Sequence, residues 1–220
     1  MALLGGTVET PQELYVHKLG AALKMENTIL EMLPQLEEHA NDSQLKQSLR
    51  QHYDETQRHV ENLERAFQAL GAEVDDSPSP AIEGLEKEGQ ANLKMVDDRL
   101  NDDVIIGGVC ETEHHEIAVY EGLITKAEAM GEQDVVALLQ ENLENEAATL
   151  KEAQQMGRQL AQRTAQARLR RRGRSCGGPE AGPHRANVVR PHDACARSTS
   201  PGQKTNSAHG RAFFAQFFVW

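Results

Sequence analysis

Four stretches of this chain repeat apolar residues at alternating steps of three and four, and in each of them glutamate stands where the pattern calls for an apolar residue, or beside it. Steps of three or four residues make one turn of an α-helix, so each stretch reads as a helix with one buried face. The first seam is Leu19, Leu23, Glu26, Leu30 and Leu33. The second is Leu45, Leu49, His52, Thr56, His59, Leu63, Phe67 and Leu70, with Glu55 at its margin. The third runs through Ile105, Val109, Glu113, Glu116, Tyr120, Leu123 and Ala127, and the fourth through Val136, Leu139, Leu143, Glu146, Leu150 and Ala153. An unpaired buried carboxylate costs several kcal/mol, while a whole domain is stable by only about 5 to 15 kcal/mol. Four or five such groups converging in one core must therefore be neutralised. The competing arrangement has the seams misphased by one residue, with the acids pairing with Lys24, Arg50, Arg58 or Lys126 at the rim of the bundle.

Local signals set the helix boundaries. Thr10, Pro11 and Glu13 form a capping-box start, and the first helix is predicted from there to about His39, with Pro34 bending its last part. The Asn41, Asp42, Ser43 cluster starts a second helix that reaches Leu70 and stops at Gly71. Asp75 to Pro80 reads as loop, and a shorter helix fits Ala81 to Leu100. This connection of about 30 residues is long enough for a crossover between parallel neighbours. A third long helix is predicted over Asp103 to about Met130 and a fourth over Gln133 to about Leu160. The short Gly131, Glu132 link makes these two antiparallel. Only 4% of residues are aromatic, and the abundance of Leu, Ala, Glu and Gln favours an all-α fold.

Charge divides the chain near Gln162. The full sequence of 220 residues has a net charge of -11, but eleven of its basic residues and only two acids, Glu180 and Asp193, lie from Arg163 onward. Residues 1–162 then carry 12 basic against 32 acidic residues, a net of -20 that repels nucleic acid and attracts cations. Residues 163–220 begin with the basic run Arg168 to Arg174 and continue as an aperiodic mixture, so they are expected to be a disordered tail, with at most weak nucleic-acid binding. The closing cluster from Phe213 to Trp220 is too short to span a bilayer, and no targeting or membrane segment is recognised. Cys110, Cys176 and Cys195 are too few for a disulfide framework, and a reducing cytoplasm is the expected compartment.

Two divalent ions would neutralise the inward acids, and hard oxygen ligands with one or two imidazoles suit iron or manganese. His59 lies one turn beyond Glu55 on the same side of its helix. His52 reads as a hydrogen-bonded core histidine in preference to a ligand, and at least one of His114 and His115 must turn away from the centre. His17 and His39 are expected to face solvent. Met25, Met32, Met95, Met130 and Met156 read as ordinary packing or surface residues.

Several of these stretches occur in a known order. They are Thr10-Pro-Gln-Glu-Leu-Tyr-Val-His17, Met25-Glu26 with Leu33-Pro34, Glu55-Thr-Gln-Arg-His59-Val60, Glu113-His-His-Glu-Ile-Ala-Val-Tyr120, and Leu138-Leu-Gln-Glu-Asn-Leu143 running on to Glu146. Together they cover about residues 8 to 160 and resemble the bacterial YciE/YciF-type ferritin-like proteins, which are associated with stress responses. The resemblance implies an antiparallel four-helix bundle of the ferritin-like kind, forming a homodimer. It also implies metal-facing positions at Glu26, Glu55, His59, Glu113, Glu116 and Glu146, leaving open which of Glu113 and Glu116 is the ligand.

The expected activity is a reaction of a di-iron centre with peroxide or oxygen in protection against stress. A metal-free bundle acting as a dimeric interaction protein is the alternative. The chain departs from the family pattern at Ala21, Leu23 and Leu150. Thr149 also stands where a Glu-x-x-His motif starting at Glu146 would place histidine. These departures bear on how firmly a second metal is held.

Overall fold

The computed structural model describes residues 7–75 and 77–175 of the chain. Helix α1 spans Pro11–His39 and opens with the expected reciprocal cap. The Thr10 hydroxyl accepts from the Glu13 amide at 3.1 Å, and the Glu13 carboxylate accepts from the Thr10 amide at 3.0 Å. Pro34 lies inside α1, which continues past it to His39. Helix α2 spans Ser43–Ala69, capped by the Asp42 carboxylate accepting from the Gln44 amide at 2.8 Å. It ends before Gly71, whose φ of 63° is the left-handed conformation that favours glycine.

The connection holds α3, Pro80–Met95, and a 3-10 turn, Asp98–Leu100, in place of the single helix to Leu100 expected from sequence. Helix α4 spans Asn101–Met130. Gly131, with φ 80°, turns the chain into α5, Gln133–Ser175.

Helix α5 therefore runs well past the expected end near Leu160. The stretch from Gln159 to Arg172 contains no Gly or Pro and is rich in Ala, Gln, Leu and Arg, all strong helix formers. Its continuation is also tied down, because Arg163 donates from both terminal guanidinium nitrogens to the Asp42 carboxylate at 3.2 Å. The tail beyond Ser175, including Cys176, Cys195 and the terminal aromatic cluster, lies outside the described residues.

Hydrogen bonds at one end of the bundle fix the directions of the helices. The Asn41 and Asp42 amides donate to the Asp102 carboxylate at 2.6 and 3.1 Å, and the Asn101 side chain donates to the His39 carbonyl at 3.1 Å. The α1–α2 turn, the start of α4 and the Arg163 region of α5 thus share that end. Consequently α1 runs antiparallel to α2 and α4, and α5 runs antiparallel to α2 and α4. Helices α2 and α4 start together, so the connection between them must travel the length of the bundle, and α3 does this. It is anchored by Ile82, which is fully buried. The loop ahead of α3 rests on α1 at the buried Gly20, where a Cβ would stand 2.6 Å from the Asp75 carbonyl oxygen.

Tyr15, Leu19, Met25, Leu63, Phe67, Ile105 and Leu139 form the fully buried framework of the core. The expected α2 seam is buried from Leu45 to Phe67. In α1, however, Ile29 is buried in place of Leu30, and in α5 Asn142 is buried in place of Leu143. A helix packed between two neighbours buries an arc wider than one seam, so the edge of that arc is set by the neighbours. Among the described residues no helix is long and apolar enough to cross a membrane.

Candidate metal centre

The seams place six polar side chains in the middle of the core: Glu26 from α1, His52 and His59 from α2, Glu113 and Glu116 from α4, and Glu146 from α5. Each is at most 4% exposed. His52 and His59 are two helical turns apart, so both point the same way, and Glu113 and Glu116 are one turn apart. Thr56, between the histidines, satisfies its hydroxyl locally by donating to the His52 carbonyl at 2.8 Å.

The six fall into two overlapping groups. One donor atom each from His52, Glu113, Glu116 and Glu146 lie within 4.8 Å of one another, and so do donor atoms of Glu26, His59 and Glu146. Glu146 belongs to both. His52 Nε2 lies 3.2 Å from Glu113 Oε1, and His59 Nδ1 lies 2.8 Å from Glu146 Oε1 and 3.7 Å from Glu26 Oε2. Of the eight carboxylate oxygens only Glu26 Oε1 has a hydrogen-bond partner, the Tyr120 hydroxyl. His52 Nδ1 and His59 Nδ1 also lack one, the close His59–Glu146 approach being off the hydrogen-bond line. Buried polar atoms are nearly always paired, so seven carboxylate oxygens without a hydrogen bond, three of them facing only an imidazole, form a group that could hold a metal ion.

The electrostatics agree. Burial, reinforced by the charges of Glu146, Glu26 and Glu113, lifts the Glu116 carboxyl well above the usual range. Burial also raises Glu26, and it pushes Glu113 up to about 8. Burial acts the same way on Glu146, but His59 outweighs it and holds that group low. Burial alone would depress the imidazoles. Glu113 nevertheless lifts His52 to about 9, and Glu146 with Glu26 lifts His59 to about 10. Two imidazolium ions offset only two of the four carboxylates. Two divalent ions would offset all four with both imidazoles neutral.

A layer of amides holds this arrangement. Asn142 donates to the Tyr120 hydroxyl at 3.0 Å and to the His59 carbonyl at 3.2 Å, and its oxygen accepts from Asn62 at 2.9 Å. Arg65 in turn donates to Asn62 at 3.0 Å. The far nitrogen of His59, Nε2, faces the Asn145 amide at 3.3 Å, and the His59 ring meets Tyr120 edge-on at 6.4 Å. Tyr120 thereby links the amide layer to Glu26. Sequence reasoning missed Asn62 and Asn142. The available signal was spacing, since Asn62 lies three residues after His59 and Asn142 four before Glu146, each on the same helix face.

Of the sequence-predicted residues, Glu26, His59, Glu113, Glu116 and Glu146 come together, and both α4 glutamates join one group. Glu55 does not. It is half-buried, and its carboxylate accepts from Gln51 at 3.0 Å on the outer side of α2. Three residues past His52 is a rotation of roughly 60° away from the seam, which carries Glu55 to the flank. His52, read from sequence as a core histidine, takes a place in the donor group instead. It shares a small cavity with Thr149, the α5 position where a Glu-x-x-His motif would place an imidazole. His39 and His114 are exposed, and burial holds half-buried His115 below its ordinary pKa. The rim arrangement does not occur for Arg50, which pairs with Glu37 at 2.6 Å.

A ferritin-like four-helix bundle with one crossover and a buried cluster of four glutamates and two histidines is the class of protein that this fold and site define. Residues 10–166 match a family model described as a domain of unknown function, DUF892, and the chain belongs to that family. It is 26% identical to protein YciF of Escherichia coli strain K12 over 144 residues, which cover 64% of this chain and 87% of YciF. The solved structure of that stress protein superposes with a TM-score of 0.65 at 25% identity, covering 68% of this chain and 96% of YciF. YcfI from Rhodopseudomonas palustris superposes with a TM-score of 0.67 at 33% identity, covering 69% of this chain and 98% of YcfI.

Proposed function

We propose that the core holds two ions of iron, with manganese as the alternative metal, and that the protein serves in a stress response by reacting ferrous iron with peroxide or oxygen. The observation that carries this reading is the set of seven carboxylate oxygens without a hydrogen bond, from α1, α4 and α5, gathered with two imidazoles of α2 in the buried interior. Four carboxylates and two imidazoles are also the complement from which ferritin-like bundles build dimetal sites. His52, Glu113 and Glu116 would hold one ion and Glu26 and His59 the other, with Glu146 reaching both. When bound, a pair of ferrous ions supplies two electrons for reduction of an O–O bond. The chain's own part is to exclude water, to fix Glu26 through the Tyr120 hydroxyl, and to fix the His59 ring against Asn145. Thr149 leaves room beside His52 rather than removing an imidazole from the set. The stress role draws on the similarity to the Escherichia coli stress protein YciF, and the family resemblance extends the reading to a cytoplasmic homodimer.

Anaerobic loading with ferrous iron followed by elemental analysis tests the proposal. The expected result is about two equivalents per chain, falling below one in Glu146→Ala. A content under about 0.2 equivalents in the wild type would overturn it. The metal-free bundle is then the reading that remains, with its acids neutralised by His52, His59 and protons.

A further inference from the structure

Beside the centre lies a cavity of about 200 Å³ between α1, α3 and α4. Its walls are apolar, with Ile29 and Leu33 from α1, Leu85 and Leu93 from α3, and Val104 and Val109 from α4. At one end it reaches His52 and Glu113. Glu113 is 1% exposed; its Oε1 faces His52 Nε2 at 3.2 Å, and its Oε2 has no hydrogen-bond partner. The cavity thus joins an apolar chamber to an unsatisfied acceptor.

Three glycines line it: Gly89 on α3, and Gly107 and Gly108 on α4, with Gly107 at its exposed edge. Glycine inside a helix costs about 0.5 to 1 kcal/mol relative to alanine. No packing neighbour requires it at these places, since a Cβ at any of the three would meet nothing within 4 Å. What the missing side chains leave is space.

Size and charge narrow the occupant. A dry apolar cavity of about 150 Å³ takes a benzene ring, so this one has room for a single ring or short chain with a small head. Asp103 and Glu111 are exposed lining residues, the lining includes no lysine or arginine, and its one imidazole, His52, is already turned to Glu113 at 3.2 Å, which disfavours a carboxylate or phosphate. The remaining oxygen, Glu113 Oε2, calls for a hydrogen-bond donor.

We propose that this cavity binds a small neutral organic molecule whose apolar body lies against Leu33, Leu85 and Leu93 and whose single O–H group is directed at Glu113. Alcohols, phenols and organic hydroperoxides share that chemistry. The inference deepens the proposed metal-centre function, on which any catalytic meaning of the cavity rests, by naming the class of molecule admitted beside the metals. Occupancy itself needs no metal.

The test is therefore made on the full-length metal-free protein by calorimetric titration. Benzyl alcohol is expected to bind saturably at one site per chain, toluene at least threefold more weakly, and benzoate not at all. Gly108→Leu and Gly89→Leu, whose side chains enter open space, should fold as judged by circular dichroism and bind benzyl alcohol at least tenfold more weakly. Equal binding of benzoate, or undiminished binding in both variants, would overturn the inference, as would absence of binding to the wild type. Benzyl alcohol binding in a protein that takes up no iron removes the metal reading and leaves the cavity. Two equivalents of iron with no benzyl alcohol binding removes the cavity alone.

Discussion

Replacing Glu116 by glutamine keeps the side chain's shape and deletes its ionisation, which makes it a direct probe of the buried cluster. Glu116 is fully buried and neither of its oxygens has a hydrogen-bond partner. Burial, and after it the charges of Glu146, Glu26 and Glu113, raises its pKa well above the ordinary value. In the unfolded chain a glutamate ionises near pH 4.3, so a carboxyl whose pKa is raised on folding takes up a proton there as the pH climbs, at a cost of about 1.4 kcal/mol for each unit of the shift that is traversed. Glutamine carries no such cost, and its amide hydrogens find acceptors among the neighbouring carboxylates. Set against imperfect pairing of the amide, relief of that cost should leave a gain of about 1 to 3 kcal/mol, which is about 2 to 12 °C in Tm for a domain of this size. Thermal unfolding of chelator-treated wild type and Glu116→Gln, followed by circular dichroism at pH 4.5 and pH 7, measures this. The gain should be present at pH 7 and nearly absent at pH 4.5. With ferrous iron the order should reverse, because the variant lacks a donor and gains less from the metal. A metal-free variant that melts at or below the wild-type temperature at pH 7, or a gain of equal size at both pH values, would refute the reasoning.

Other perturbations separate the centre from its surroundings. In the metal-free protein Glu113 at about 8, His52 at about 9 and His59 at about 10 all stay protonated in the folded state at pH values where they have lost their protons in the unfolded chain. The folded state therefore binds more protons, and Tm should fall as pH rises from about 5 through 9. Iron loading, which displaces those protons, should stabilise more at the upper end, and a metal-free Tm that climbs over this range contradicts the assignment. Glu55→Ala should change stability by no more than about 0.5 kcal/mol and leave the iron content intact, whereas a ligand at that position would lose metal. Tyr120→Phe removes the donor to Glu26 and the acceptor of Asn142. It should cost about 1 to 3 kcal/mol in urea unfolding, and an unchanged midpoint counts against the network. Gly20→Ala places a Cβ against the Asp75 backbone and should cost about 1 to 3 kcal/mol by the same assay, with no change in iron content.

The sequence alone determined the helices and most of the site, for a local reason. Caps such as Thr10 with Glu13, stops such as Gly71 and Gly131, and a repeat of one turn fix where each helix lies and which residues share its face. Glu26, His59, Glu113, Glu116 and Glu146 were legible because each stands inside an apolar stripe, where an acid or imidazole has to be accounted for.

Tertiary structure decided everything at the edges of those stripes. Which flank of a helix is buried depends on where its neighbours pack, and no periodicity within one helix records that. Hence His52 faces the glutamates while Glu55, only three residues on, turns outward, and Asn142 rather than Leu143 enters the core to bind Tyr120. The contact from Arg163 of α5 to Asp42 spans more than half the chain, and no local signal records it. The cavity beside Glu113 is enclosed by residues of α1, α3 and α4 together, an arrangement that follows from three helices meeting and from no one of them alone.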